Sequence, residues 1–369
     1  MRRLLGGFII VVAVSASAAG DASFSRDVAI VVKQGRGSAE GRAAWDRLSQ
    51  ADADVLPALL QGMNTKDTVA LNWLRTAFDQ VVEREMKSGG KRIDTKKIVA
   101  YVKNPANAGR PRRLALDLLE RLQPGAAAAI CRDGLDDPEF RYEAVAQLLD
   151  QAKARNDVKL YRLAFDKSRD MLQARAAALG LKNAGIDVSV ARHMGFLLDW
   201  HLVGPFDGKN QKGFRTAYLP ETGIDLKEQF DGQKGKIRWK PIHVTESALT
   251  SKDRHQALVN LASKDALGNA DDAVAYAYTE IVVAKPMKAE MRGAADDNLT
   301  VWVNGNKVFG FEEWRNGVRH DRHRFPVELR EGRNAVLVKV CQSAAPNPEP
   351  NWEFMLRVVD ATGKGIEMK

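Results

Sequence analysis

Asp296-Asp297-Asn298-Leu299-Thr300-Val301-Trp302-Val303-Asn304-Gly305 is followed, after a polar-aromatic loop, by Leu329-Arg330-Glu331-Gly332-Arg333-Asn334-Ala335-Val336-Leu337-Val338-Lys339-Val340. These two segments decide the fold. Leu299, Val301 and Val303 alternate onto one face of a strand, and Val336, Val338 and Val340 do the same further on. Val303 and Asn306 flank Asn304-Gly305, the pair that suits a type I′ turn, because both central residues of that turn need φ > 0. Gly332 stands where a turn needs a left-handed residue before the next strand. The two segments read as inner strands of an antiparallel β-sandwich. Trp302 alternates away from the apolar face, so a second cover, an outer loop or a helical domain, is expected over it.

Working outward, the composition changes near Gly195. Trp200-His201-Leu202-Val203-Gly204-Pro205-Phe206 reads as an apolar strand closed by a Gly-Pro breaker. Ile237 to Ile242 reads as another strand, Ala273 to Val283 as a longer one, and Trp352 to Val358 as the last. The Asp-Asp…Val-Trp-Val-Asn-Gly…Leu-x-x-Gly-x-Asn series resembles the jelly-roll modules of the galactose-binding-like type, including sugar-binding domains of many glycoside hydrolases. The run Trp-x-x-x-Gly-Pro-Phe, Trp-Lys, Ala-Tyr-Ala-Tyr, Val-Trp-Val-Asn-Gly resembles a module found behind helical repeats in secreted bacterial proteins. That resemblance covers about 195–369.

Upstream of Gly195 the pattern is helical. Arg42 to Leu48 and Val55 to Leu60 read as short paired helices, and Val69, Leu71, Leu74, Phe78 and Val81 form a stripe near helical period. In Asp137-Pro138-Glu139-Phe140-Arg141-Tyr142-Glu143-Ala144, the Asp is expected to cap a helix and the Pro to take its first position. Arg112/Ala115, Arg141/Ala144 and Arg175/Ala178 recur at roughly 30-residue intervals, in the range of helical-repeat arrays. This stretch resembles a HEAT-like α-solenoid, with an irregular helical bundle as the alternative.

The first residues bear on the compartment. Met1-Arg2-Arg3 is basic, Leu4 to Val14 is apolar but too short to span a bilayer, and Ala16-Ser17-Ala18 gives small residues at cleavage spacing. A signal peptide over 1–19 and a secreted or periplasmic protein are expected. The 369 residues, 45% apolar and 28% charged, are those of a globular chain with room for two domains. Loss of Arg2 and Arg3 would reduce the formal charge of +9 to +7 (9 − 2), which favours anionic surfaces without demanding nucleic acid. The basic helices around Arg110, Arg112 and Arg113 offer a nucleic-acid groove only weakly, and no nucleic-acid partner is expected. Cys131 and Cys341 read as buried free thiols, with an interdomain disulfide as the alternative.

Few residues carry chemistry. Gly35-x-Gly37-x-x-x-Gly41 has the wrong spacing for a dinucleotide loop, and no nucleophile or paired-cysteine metal motif occurs. His320 and His323 sit in a loop beside several cations and read as solvated rather than metal-binding. Asp296 and Asp297 read as capping a turn, since one local pair supplies too few of the six to eight oxygens calcium takes. Glu312 and Glu313 are adjacent and should point apart, which is poor geometry for glycoside cleavage. The candidate ligand-binding residues are therefore Trp314, Arg315, Asn316, Arg319 and His320. They lie in a loop at the end of a rigid scaffold, where a sugar ring can stack on the indole. Trp314 as a plug over that end remains the alternative.

The expectation is an exported, non-catalytic binding protein without cofactor, metal or membrane span. A HEAT-like solenoid (20–194) precedes a galactose-binding-like jelly-roll β-sandwich (195–369), with a glycan or protein as partner. The alternative is a structural protein–protein assembly factor that binds no carbohydrate.

Overall fold

The computed structural model describes residues 12–35, 37–251, 256–314, 317–344 and 351–366, and over 12–21 the backbone alone. The described chain has eleven α-helices and then antiparallel β-sheets. It divides into two compact units, Met1–Ala144 and Val145–Lys369. The helices Val158–Lys167, Met171–Asn183 and Val190–Met194 thus belong to the unit that carries the sheets, whose first residue lies well before Gly195.

Most of the expected signal peptide, Met1 to Val11, lies outside the described residues; the helix Val12–Gln34 continues through Ala16-Ser17-Ala18. Among the described residues no helix is long and apolar enough to cross a membrane. In the first unit, Ala39–Gln50, Leu56–Gly62 and Thr68–Lys87 place Leu48, Leu56, Leu59, Leu60, Leu74 and Phe78 in one core. Asp67 and Asp94 cap helices by accepting from backbone N–H groups two and three residues on. Asp137 acts differently from the capping expected of it. Its carboxylate accepts from the Glu139 N–H and from buried Arg112, and the helix begins a turn later, at Arg141. The residues Asp137 to Phe140 are held as a turn because Arg112 pins the aspartate there while its Nε donates to the Val102 carbonyl at 2.7 Å.

In the second unit, Arg175 donates to the carbonyls of Ala248, Leu249 and Ser251, tying its helix to an irregular segment beside the sheets. Gly195 ends the last helix at φ +82, and a Cβ there would lie 2.2 Å from the Val358 carbonyl oxygen, so the approach of the chain to the sheet requires glycine.

The strands are β1 Asp199–Asp207, β2 Gln229–Gly232, β3 Gly235–Arg238, β4 Lys240–His243, β5 Val259–Asn260, β6 Ala273–Val283, β7 Met287–Asp296, β8 Asn298–Val303, β9 Asn306–Phe311, β10 His323–Leu329, β11 Gly332–Gln342 and β12 Glu353–Val359. One sheet has the order β4-β1-β6-β11-β8-β9, a second has β10-β7-β12-β5, and β2-β3 form a ribbon. Asn304 and Gly305 take φ 52° and 79°, and Gly332 takes φ 79°, as the turns demanded. The strand expected over Ile237 to Ile242 is two strands in different sheets, broken at Trp239, whose ring turns into an aromatic cluster against Phe230 and Tyr278.

The six-stranded sheet is apolar on both faces. Leu299, Val301, Val336, Val338 and Val340 are buried on the inner face. Trp200 meets Phe354 of the four-stranded sheet edge-on at 5.1 Å. On the outer face Phe206, Tyr276, Tyr278 and Leu337 pack with Phe230 and Trp239, and half-buried Phe214, Tyr218 and Trp302 join them. The segment between β1 and β4 is therefore the outer cover expected over Trp302. It is fastened by Lys339 on β11, which is 2% exposed. The ammonium donates to the carbonyls of Phe214 and Thr216, at 3.3 and 2.6 Å, and to Glu221 at 2.8 Å. The Tyr276 hydroxyl also donates to Glu221, and burial together with that bond pushes its pKa up.

Removing one member of a buried ion pair leaves the other charge without compensation, typically at about 3–5 kcal/mol. Lys339→Met should lose stability of about that size in urea denaturation, and adding Glu221→Gln should restore part of it. A single variant as stable as the parent would contradict the fastening role.

Candidate functional site

Strand register places the crossing between the two sheets at Asp296, Asp297 and Asn298. Asp296 ends β7, opposite Glu353 of β12, while Asn298 begins β8, opposite Cys341 of β11. Asp297 is the crossing residue between the sheets, and the Asp296–Asp297 peptide is cis. Its N–H donates to the Cys341 carbonyl at 3.1 Å, and its Oδ2 accepts from the Ser343 N–H at 2.8 Å. The aspartates thus do more than cap a local turn, as expected from sequence: they lie buried where the chain changes sheets.

Asp296, Asp297 and Asn298 are 8%, 3% and 1% exposed. Burial, followed by the hydrogen bond to Asp297 and the charges of Asp297 and Glu353, pushes the Asp296 pKa up to about 8. Asp296 therefore keeps its proton at neutral pH. Neither Oδ1 nor Nδ2 of Asn298 has a hydrogen-bond partner among the described residues, and neither has Nε1 of fully buried Trp352, next to Glu353. Such atoms cost free energy unless something else satisfies them. Among the described residues no three His, Cys, Asp or Glu side chains gather into a metal cluster. Cys131 and Cys341 are buried free thiols; burial pushes Cys341 up to about 12 and so keeps it protonated.

The loop that follows β9 rises from the same end, because Phe311 lies opposite Leu299 and His323 opposite Gly293. Trp314 is half-buried and packs against the outer aromatic cluster, its Nε1–H donating to Glu312 at 3.3 Å. Arg215, from the cover, donates to the same glutamate at 3.0 Å. Glu313 turns instead to Arg322, so the two glutamates point apart as expected. Arg315 and Asn316 lie outside the described residues. Arg319 is exposed. His320 is directed elsewhere, its ring 5.8 Å from that of Phe196 and its Nδ1 3.5 Å from Asp321. Burial opposes ionisation of Asp321, but bonds and charge from Arg357, with His320 and Arg292, hold its pKa below the usual carboxylate range.

The two histidines expected to be solvated are both packed on aromatic rings. His323 lies 5.0 Å from Phe309 and 4.8 Å from Phe311. Burial and then the charge of Arg322 lower its pKa, so it is neutral at pH 7. Phe309 stacks on Phe325 at 4.5 Å and an interplanar angle of 12°, whereas Phe311 stays 42% exposed. Sequence reading passed over these phenylalanines, although their two-residue spacing after the hairpin was a signal that they share one face.

No protein-family model matches the chain, and no curated protein matches it. Among solved structures it is similar to the PA14 domain of the MpAFP antifreeze protein, with 12% identity, 48% of this chain and 88% of that one covered, and a TM-score of 0.28. The PA14 sugar-binding domain from an RTX adhesin is similar at 12% identity, over 44% of this chain and 89% of that one, with a TM-score of 0.23. A Faecalibacterium prausnitzii beta-glucuronidase is similar at 12% identity over 45% of this chain and 31% of that one, with a TM-score of 0.24. At these scores the likeness carries no argument about a ligand.

The raised Asp296 pKa fixes a sign. The folded protein holds a proton that the unfolded chain releases near pH 4, so stability is fully present below the unfolded pKa and declines as pH rises toward about 8. Asp296→Asn cannot titrate and should flatten this decline. Denaturation midpoints at pH 5 and pH 8.5 for both proteins test it; equal slopes would refute a proton held by Asp296.

Proposed function

We propose that the β-unit is a non-catalytic carbohydrate-binding module of an exported protein, and that Asp296, Asp297 and Asn298 hold a divalent cation through which sugar hydroxyls bind. The supporting observation is the burial, at a sheet crossing, of two carboxylates beside a side-chain amide that the protein leaves unpartnered. The donor set suits a hard, oxygen-seeking ion such as calcium, which takes six to eight oxygens. Three side chains supply fewer than that. Water and vicinal hydroxyls of a bound sugar would complete the shell, so that the cation links protein and glycan. Such an ion favours deprotonated Asp296 and relieves the repulsion that otherwise traps a proton there.

The wider reading has a HEAT-like solenoid as an interaction arm and a jelly-roll sandwich as the glycan reader, secreted or periplasmic after cleavage near Ala19. Nucleic acid has no part in it. Trp314 and Arg319 belong to the segment between β9 and β10, which leaves the sheets at the end where Asp297 crosses. Trp314 donates to Glu312, which Arg215 holds in turn, and it bounds the site more than it serves as an open platform.

The test is a glycan array on the full chain in calcium and again in chelator. Glycan retention should require calcium and disappear in Asp297→Asn, with the circular dichroism spectrum unchanged. Retention indifferent to chelator would remove the cation from the reading. No retention on any glycan would favour the assembly-factor alternative.

A further inference from the structure

Phe309 and Phe311 share one edge strand but have different surroundings. Phe309 is stacked on buried Phe325 and closes the side of the two sheets between β9 and β10. Phe311 is not needed for that closure: it is 42% exposed at the end of the strand, with the neutral His323 ring packed at 4.8 Å and tilted by 42°. The guanidinium carbon of Arg322 lies 5.9 Å from the Phe311 ring centre, and Arg322 is itself held by Glu313. The result is one aromatic face fixed on a strand and flanked by polar groups.

A partner protein would ask for a wider apolar patch, yet no other large exposed apolar residue lies on β9 or β10. A sugar ring fits better, because its C–H face stacks on an aromatic ring while its hydroxyls meet imidazole, guanidinium and carboxylate groups. Position sets the next step. Phe311 is opposite Leu299, two residues beyond Asp297. Strand rise and spacing of about 3.3 and 4.8 Å then separate Phe311 from Asp297 by roughly 8 Å.

We infer that Phe311, backed by His323, is a second sugar subsite, and that the ligand is a glycan chain whose adjacent units occupy the aspartate pair and the phenylalanine face. This rests on the carbohydrate reading above and adds a ligand class to it: a polysaccharide or oligosaccharide in place of a single terminal sugar. His323 is a positioning residue, holding the Phe311 ring upright between itself and the strand.

Affinity electrophoresis of the full chain in calcium, through gels containing soluble xylan, galactomannan or laminarin, tests the inference. Competition with the matching free monosaccharide and with its oligosaccharides reads the effect of chain length. In the parent protein, oligosaccharides should compete better than the monosaccharide by about three- to tenfold, the value of one stacked ring. Phe311→Ala should abolish that advantage while keeping calcium-dependent retardation and the parent melting midpoint. Phe311→Trp should preserve or increase it. Should Phe311→Ala retain the full chain-length advantage, the subsite falls and the aspartate site stands. If no gel retards the parent protein, the carbohydrate reading falls, and the subsite with it.

Discussion

The six-stranded sheet has two apolar faces, and everything around it follows from the need to cover both. Val301, Val338 and Val340 face inward to the second sheet, while Tyr276, Tyr278, Leu337 and Trp302 face outward. Large aromatic faces left in water would forfeit a substantial hydrophobic gain. The long segment between β1 and β4 meets that need by folding back over the outer face. Lys339 is a buried cation set into this aromatic surface, and it fastens the cover by its backbone carbonyls and by Glu221.

The same constraint shapes the candidate site. Because β7 and β8 are consecutive but belong to different sheets, the chain must cross between layers at Asp296-Asp297-Asn298. A crossing made by charged residues in a buried position is costly, and Asp296 answers by keeping a proton. The fastened cover then reaches the neighbouring loop, since Arg215 holds Glu312 and Glu312 holds Trp314. Trp314 is thereby a wall of the sheet end, while Phe311, one strand end away, stays partly exposed.

Local signals were legible in the sequence. The Asn304-Gly305 turn, the left-handed Gly332 and the strand Ala273–Val283 came from φ requirements and period-two alternation, both of which act over a few residues. The helix Thr68–Lys87 was readable from the near-helical spacing of Leu74, Phe78 and Val81, although Val69, expected in the same stripe, is exposed and Ala70 is buried in its place. What escaped depended on partners far along the chain. Trp239 breaks a continuous-looking strand because its ring is needed in the outer cluster. Asp137 yields its capping position to Arg112. Arg215 and Glu312, separated by 97 positions, carried no shared sequence signal. His323 looked solvated because its charged neighbours are visible in sequence, while the rings of Phe309 and Phe311 approach it only through the packing of one sheet edge against the other. The Asp296-Asp297 pair was conspicuous, but its burial became apparent only when Glu353 and Ser343 were placed beside it.

The most direct measurement is a crystal structure of the chain grown in calcium and soaked with a glycan that it retains. Density for a cation between Asp296 and Asp297, with sugar hydroxyls in its coordination shell, is expected. A glycan bound elsewhere, with no cation between the two aspartates, would contradict the central claim.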